Sequence, residues 1–289
     1  MVHTSNVSPD SVPVLKARDY VNISRLAYEH FGLDLGDGKQ GLVTARLGKK
    51  LRELGLTSFQ QYYEYVKADR SGTALVGLVD QLTTNHTSFF REARHLEFLR
   101  NTIFPALRTR SRIDIWSAAC SSGEEPYSIA MALCEEAPRE AAAKVKIKAT
   151  DISTRMIERA KTGVYPAERV VDIPAALRQR YLVKAARDSS ESFRFREDIR
   201  SMIEFDRRNL MQALPASFRF PVIFCRNIMI YFDKATQQAL VQRLSECLED
   251  GGYLFIGHSE SLNNIAHGLS YVSPATYKKP GSARQNGRL

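Results

Sequence analysis

The sequence predicts an α/β protein in two parts, an all-α N-terminal domain followed by a domain built on a parallel sheet. Apolar residues between 16 and 82 recur with the 3.6-residue period of helices and show no strand-like alternation. From residue 112 onward, short β-branched runs alternate with helical segments, which is typical of a parallel α/β sheet. At 289 residues, the chain is long enough for both parts to bury a core.

The composition is that of a globular protein, with 44% hydrophobic and 25% charged residues. No apolar run approaches the roughly 20 residues of a membrane span. Residues 1–15 have the character of a disordered lead and lack a signal-peptide pattern. Four cysteines, without C-x-x-C or zinc-ligand spacing, lie at Cys120, Cys134, Cys225 and Cys247. We therefore expect a cytoplasmic protein with reduced thiols, no metal and no insertion into the membrane.

The N-terminal domain is predicted to span residues 16–82. Its helical segments are expected at 19–31, 41–54, 58–68 and 74–82, separated by glycine-bearing breaks. Thr57 or Ser58 is a plausible cap for the third helix. These segments indicate a small α-helical bundle.

The net charge of +9 points to an acidic partner, and the sharpest basic excess lies in residues 39–52, which contain no acid. The predicted buried stripe of this helix consists of Leu42, Leu47, Leu51 and Leu54. The basic side chains expected largely away from that stripe are Arg46, Lys49, Lys50 and Arg52. Such a run is either a solvated helix face or a docking surface, and the missing acids favour docking.

The second part is predicted to comprise a junction at 83–111 and an α/β domain at 112–280. Strands are expected at 112–116, 145–150, 221–225, 252–257 and about 271–278, with helices near 126–136, 153–161 and 235–248. The helical run PAALRQRYL and the extended pieces SFRFRE and SMIEF suggest a small β-insertion, placed at 187–206. Residues 281–289 form a polar tail.

The first strand of this domain leads into a loop of small polar residues and then a helix. Glu124 and Glu125 fall at the positive end of that helix, and Pro126 suits its first turn. An open α/β sheet binds nucleotide-like ligands at such a turn. The loop has one glycine, Gly123, rather than the three of G-x-G-x-x-G. We therefore expect an adenosine ligand without phosphates, of which S-adenosylmethionine is the common one.

Asp151 ends the next strand, in VKIKATDIS. An acid at this position can accept both hydroxyls of a ribose. The alternative is an N-cap for the following helix, supplied by Asp151 or Ser153. Ribose binding is favoured because loop and acid stand in the order and spacing of a nucleoside site.

Two further segments combine polar and aromatic residues. The junction segment LTTNHTSFFRE holds many hydrogen-bonding groups before two phenylalanines and Arg91, and the strand PVIFC delivers Arg226 and Asn227 to the same edge. Both segments also have a purely structural interpretation. The first would be a capped helix whose phenylalanines fill the domain interface. The second would be a turn capped by Asn227, with Tyr231 in the core.

Taken together, TTNHTSFFRE, WSAACSSGEEPYSIAMAL, ATDIS, NLM, FCRNIMIYFDK and GGYLFIGHSESL resemble the chemotaxis receptor glutamate methyltransferases, the CheR family. The resemblance runs from about residue 20 to residue 278. It implies a helical N-terminal domain joined to a Rossmann-like S-adenosylmethionine-dependent methyltransferase domain with an inserted β-subdomain. The product of the cofactor would be S-adenosylhomocysteine.

The resemblance also assigns roles to residues. The implied cofactor contacts are Asn85, Thr87, Arg91, Glu125, Asp151, Asn209, Leu210, Arg226 and Asn227. Arg91 and Tyr231 would line the transfer site beside the substrate glutamate. Because a glutamate side chain is an anion at pH 7, it can attack the methyl group without a general base. The site then has to supply alignment and dryness.

The implied partners are the cytoplasmic domains of methyl-accepting chemotaxis receptors, whose acidic helices would meet Arg46, Lys49, Lys50 and Arg52. Members that tether to a receptor's C-terminal pentapeptide carry a glycine in a loop of the β-subdomain. Residues 186–193 (ARDSSESF) contain none, so we expect an enzyme that does not depend on the pentapeptide.

Three other functions fit less well. A nucleic-acid amino-methyltransferase would carry [DNS]-P-P-[YF] where residues 227–230 read NIMI, and no RNA-binding signature is present, so nucleic acid is not expected as a partner. A nicotinamide-dependent reductase would need the absent glycine fingerprint. A non-catalytic docking module would show erosion of Arg91, Asp151 or Asn227, and all three are present.

Overall fold

The computed structural model describes residues 13–136, 143–185 and 191–281. The predicted lead and tail lie outside these ranges except for residues 13–15 and 281, and so do residues 186–190 of the glycine-free segment. The chain divides into two compact units, Met1–Thr84 and Asn85–Leu289.

The first unit contains four helices within two residues of the predicted segments. They are α1 (Ala17–Phe31), α2 (Gln40–Glu53), α3 (Phe59–Ala68) and α4 (Thr73–Leu82). Local chemistry fixes their ends. Gly32, in the left-handed conformation, ends α1, and the Ser58 side chain accepts from the Gln61 N–H to begin α3.

The buried stripe of α2 differs in part from the prediction. Leu47 and Leu51 are fully buried, but Leu42 is 38% exposed and Val43 takes its place. Positions 43, 47 and 51 are four residues apart and share one helix face, whereas Leu42 is rotated by about 100° from Val43. The prediction for Leu42 was therefore wrong by one position.

The second unit is built on a seven-stranded sheet in the order β6-β2-β1-β7-β8-β10-β9. These strands are β1 (Ile113–Ala118), β2 (Val145–Asp151), β6 (Ile203–Arg207), β7 (Phe220–Cys225), β8 (Leu248–Phe255), β9 (Ser270–Ser273) and β10 (Thr276–Lys278). The first five in this order pair in parallel, and β10 runs antiparallel to β8 and β9. The predicted final strand is thus a hairpin. The α/β fold class is confirmed.

Helices cover both faces of this sheet. They are α5 (Ala93–Phe98), α6 (Phe104–Leu107), α7 (Glu124–Glu136), α8 (Thr154–Thr162), α9 (Ala175–Tyr181), α10 (Glu197–Arg200) and α11 (Lys234–Cys247), with a π-helical stretch at Leu99–Ile103 joining α5 to α6. Ile115 packs in one core with Leu133 of α7, whereas Trp116 packs in another with Leu244 of α11. Successive side chains of β1 therefore point to opposite faces of the sheet and pack into two different cores.

A separate three-stranded antiparallel sheet has the order β3-β5-β4, from β3 (Val164–Pro166), β4 (Leu182–Lys184) and β5 (Ser192–Phe195). Phe195 stacks on Tyr127 of α7 with ring centroids 4.2 Å apart. The prediction that SMIEF belongs to this insertion was wrong, because these residues form β6, which pairs with β2 in the main sheet. The predicted start of the insertion at residue 187 was also too late, because β3 and β4 of the small sheet precede it.

The chain changes direction across the sheet at β1. From β1 it passes through α7 to β2 on one side, while β7 lies on the other side of β1. The carboxyl ends of β1 and β7 thus form a topological switch point, where open α/β sheets bind their ligands. Across the described ranges, no helix has both the length and the apolar character needed to cross a membrane.

Candidate functional site

The loop after β1 is compact and internally bonded. The Cys120 N–H donates to the Thr150 carbonyl, the Ser121 N–H to Asp151 Oδ2 and the Gly123 N–H to the Cys120 carbonyl. A phosphate cradle needs free N–H groups directed at the ligand. These three are already used within the protein, which fits an adenosine ligand without a pyrophosphate.

The single glycine of this loop serves packing. A Cβ on Gly123, whose φ is +99°, would lie 2.8 Å from Tyr165 Oη and 2.9 Å from Ala160 Cβ. Tyr165 Oη in turn donates to the Ser122 carbonyl at 2.7 Å. Gly123 therefore allows the loop to approach α8 and β3.

Asp151 is fixed at the carboxyl end of β2. Its Oδ2 accepts from the Ser121 N–H at 2.8 Å and its Oδ1 from the Ser153 N–H at 2.9 Å. Ser153, rather than Asp151, is the N-cap of α8, since its side chain accepts from the Met156 N–H. Asp151 thus joins the loop after β1 to the end of β2.

Glu125 and Arg226 form a buried ion pair. Arg226 Nε donates to Glu125 Oε2 at 2.6 Å, and Ser117 Oγ donates to the other carboxylate oxygen at the same distance. Arg226 Nη1 also donates to the Arg91 carbonyl at 2.8 Å. The structure brings three predicted site residues together, and it does so by binding them to one another.

Glu92 contacts the predicted site residues Arg226 and Asn227, and the sequence analysis missed it. Its Oε2 lies 3.3 Å from Arg226 Nη1, and its Oε1 accepts from the His258 N–H at 3.0 Å and from Asn227 Nδ2 at 3.4 Å. Burial raises its pKa, but the His258 N–H and the Arg226 charge outweigh burial, so the pKa of Glu92 is lowered. Its place at the end of TTNHTSFFRE was the available signal.

Positive backbone φ angles concentrate around these contacts. Five of the seven described non-glycine residues with positive φ are Phe90, Glu92, Ala119, Ser121 and Asn227. Each costs free energy that the surrounding contacts must offset, and such residues cluster at functional sites. The segments before α5, after β1 and after β7 are therefore held in defined, strained conformations.

The other predicted contacts have varied surroundings. Arg91 Nη1 donates to the His86 carbonyl at 3.0 Å, and the Asn85 carbonyl accepts from Ser121 Oγ at 3.3 Å. Asn209 Oδ1 accepts from the Met211 N–H. Leu210 is 6% exposed and packs in the core with Trp116.

Thr87 and Tyr231 are both partly buried. Tyr231 ends a 3-10 turn, Met229–Tyr231.

One cluster has side chains that metals favour. Ligand atoms of Glu92, His95 and His258 lie within 4.8 Å of one another. Arg226 is already paired with Glu92, and its positive charge opposes a second cation there. The cluster is better described as the packing around the Glu92–Arg226 pair, with His95 buried beneath it.

The four basic residues of α2 are not equivalent. Arg46 donates to the Leu82 carbonyl and, at 2.7 Å, to Thr84 Oγ1. Lys50 lies 3.2 Å from Glu53. Lys49 and Arg52 are exposed. Arg46 therefore secures the end of α4, and Lys49 and Arg52 are the more accessible charges.

Two family models cover both units. Residues 18–83 match the all-alpha domain of CheR methyltransferase, and residues 85–277 match its SAM binding domain. The cofactor is therefore S-adenosylmethionine, in agreement with the loop after β1.

Named relatives agree with the family models. A chemotaxis protein methyltransferase of Borreliella burgdorferi is 40% identical over 263 residues, covering 88% of this chain and 92% of the relative. Chemotaxis protein methyltransferase 2 of Pseudomonas aeruginosa is 38% identical, with 90% and 92% covered. The chemotaxis protein methyltransferase of Escherichia coli is 37% identical, with 88% of each covered. This chain belongs to the CheR methyltransferase family.

Proposed function

We propose that this methyltransferase esterifies glutamate side chains on the cytoplasmic domains of methyl-accepting chemotaxis receptors. The observation that carries the proposal is the match of both domains to one methyltransferase family. The relatives are chemotaxis protein methyltransferases, and the similarity covers 92% of the relative from Borreliella burgdorferi. A cytoplasmic location follows from such a substrate.

The cofactor residues suit an adenosine-bearing methyl donor. Asp151, held by two backbone N–H groups, presents its carboxylate at the end of β2 for a ribose. Asn85, Thr87, Asn209, Leu210 and Asn227 would surround the rest of the donor. Glu125 and Arg226 would act through their mutual ion pair, which fixes the Arg91 backbone. When bound, the donor supplies an electrophilic sulfonium methyl group.

The transfer step does not require the protein to remove a proton from the substrate. A glutamate carboxylate is ionised at pH 7, so one of its oxygens can form the new C–O bond while the methyl–sulfur bond breaks. Arg91 would orient the carboxylate, and Tyr231 would hold one oxygen or pack against the methyl group. Positioning of this kind is worth about 7–11 kcal/mol in well-oriented pairs.

The basic face of α2 would bind the receptor. Lys49 and Arg52 are exposed, with Lys50 beside them. A negatively charged helix would be steered toward such a face, more strongly at low salt.

The proposed enzyme does not depend on a receptor pentapeptide. The support is the absence of glycine from residues 186–193. Titration of the protein with such a peptide tests this point, and clear micromolar binding would refute it.

The function itself is tested by incubating the protein with labelled S-adenosylmethionine and receptor cytoplasmic domains. We expect label on the receptor that mild alkali releases, because methyl esters hydrolyse in alkali. Label that survives alkali would indicate methylation of nitrogen and would contradict the proposal.

A further inference from the structure

The Glu260 carboxylate, in the turn after β8, collects backbone N–H groups from two loops. Its Oε1 accepts from the Met229 N–H at 2.7 Å, and its Oε2 accepts from the Gly257 N–H at 2.6 Å and the Asn227 N–H at 3.0 Å. The turn after β7 is thus bound to the turn after β8 by one side chain.

The turn after β7 needs this support, because Asn227 has a φ of +59°. A non-glycine residue in that conformation is strained and persists only where its surroundings impose it. The carboxylate satisfies the Asn227 N–H and, two residues on, the Met229 N–H, so it fixes the backbone on both sides of Ile228.

Gly257 packs against both Asn227 and the Glu260 carboxylate, since a Cβ added at residue 257 would lie 2.9 Å from Glu260 Oε2. The same Cβ would lie 2.3 Å from Asn227 Nδ2 and 2.9 Å from the Asn227 backbone nitrogen. None of these distances is tolerable, so a side chain on residue 257 would displace Asn227 and the Glu260 carboxylate. Glu260 attracts the turn and Gly257 leaves room for it.

We propose that Glu260 is a positioning residue that holds the Asn227–Tyr231 turn in the conformation that cofactor binding and methyl transfer require. This inference rests on the proposed roles of Asn227 and Tyr231. Glu260 itself contacts neither cofactor nor substrate in this role. It acts through the turn, which carries Asn227 to Glu92 and ends at Tyr231.

A carboxylate is the group this position demands. Glutamine would keep one acceptor oxygen and replace the other with an NH₂ group, which would face a backbone N–H as donor against donor. Glu260→Gln therefore changes the turn without changing side-chain size. The matched control is Glu246→Gln, at an exposed position on α11.

The test measures binding of S-adenosylhomocysteine by calorimetry, together with kcat and KM for a receptor domain. For Glu260→Gln we expect affinity and kcat to fall about tenfold or more, a receptor KM within about threefold of the original protein, and a binding stoichiometry of one. Glu246→Gln should match the original protein in every readout.

A purely structural role would give a different pattern. Stoichiometry and activity would then fall in parallel, and the remaining sites would keep their affinity. That result, or affinity and kcat within twofold of the original protein, would overturn the proposal.

A second variant and the binding readout keep the test decisive. If Glu260→Gln fails to fold, Glu260→Asp decides, because it keeps both acceptor oxygens but withdraws them from the Asn227 and Met229 N–H groups, and it should weaken S-adenosylhomocysteine binding about tenfold. If the original protein methylates no receptor domain, the proposed function fails, and the binding arm still decides the role of Glu260.

Discussion

Arg226 is the buried cation on which two carboxylates depend. Its side chain is 4% exposed, beside Glu125 at 2.6 Å and Glu92 at 3.3 Å. Deleting one member of a buried ionic cluster leaves charge without compensation, which typically costs about 3–5 kcal/mol.

We predict that Arg226→Met lowers the free energy of unfolding by about 3–5 kcal/mol, measured by urea denaturation. The control is Arg112→Met, at a pair whose arginine is 67% exposed, where a loss of at most about 1 kcal/mol is expected. Equal effects at the two positions would contradict the description of the cluster.

His95 makes stability depend on pH. Burial, followed by the Arg226 charge, lowers the pKa of His95 from 6.5 to about 4. Because the folded pKa is the lower one, the unfolded chain takes up a proton between these values that the folded protein does not. The stability that the protein gains from keeping His95 neutral is complete above pH 6.5 and is lost as the pH falls toward 4.

Between pH 6.5 and pH 4, His95 should lower the free energy of unfolding by up to about 1.4 kcal/mol for each unit by which the pH falls. We expect His95→Gln to remove this part of the slope, whereas His86→Gln, at an exposed position, should leave it. Denaturation curves at pH 7, 6 and 5 measure the slope, and identical slopes in the original protein and His95→Gln would refute the prediction.

Sequence patterns predicted which polar residues lie at this edge of the sheet better than they predicted the partners of those residues. Asp151, Glu125 and Arg226 follow strands or begin a helix, and position along the chain is enough to suggest an edge of the sheet. That Glu125 binds Arg226, 101 residues away, depends on the strand order, which local patterns do not contain. Glu92 was missed for the same reason, since its partners come from two distant turns.

The loop after β1 and α8 show how one glycine determines the packing of two elements. Gly123 has a positive φ and lies against Ala160 and Tyr165. Gly38 also has a positive φ, of +86°, but a Cβ added there would meet no other atom within 4 Å. Comparing Gly123 with Gly38 therefore distinguishes the cost of backbone strain, which both positions share, from the cost of overpacking, which only Gly123 has.

We expect Gly123→Ala to destabilise the protein by about 1–3 kcal/mol more than Gly38→Ala, because only the former adds overpacking to backbone strain. Thermal or urea denaturation of the two variants gives the difference. A smaller loss at Gly123 than at Gly38 would show that α8 yields without cost.

Element boundaries were predictable where local chemistry sets them. The helices of the first unit fell within two residues of expectation, since glycine breaks and the Ser58 cap act over a few residues. The place of β6 was not predictable. Its sequence is merely extended, and the residues of its parallel partner β2 lie 56 positions earlier in the chain.

The whole chain carries a net charge of +9, and its proposed substrate surface is acidic. On α2, Lys49 and Arg52 are exposed while Arg46 is bonded to the end of α4. The charges available for receptor binding are therefore fewer than the sequence suggested.

Reversing both exposed charges (Lys49→Glu with Arg52→Glu) should raise the receptor KM about tenfold at low salt, because like charges then face each other. The affinity for S-adenosylhomocysteine should not change. The matched control, Lys67→Glu with Arg70→Glu, makes the same charge change at exposed positions of the same unit. Equal loss in both variants would indicate a general charge effect instead of docking by α2.

The activity proposed for this family member is the formation of glutamate methyl esters on chemoreceptors. The most direct measurement is mass spectrometry of a receptor cytoplasmic domain after incubation with the protein and S-adenosylmethionine, before and after mild alkali. We expect single-methyl mass increments that map to glutamate and disappear in alkali. Increments on lysine or arginine, or none on any receptor domain from the same cell, would contradict the proposal.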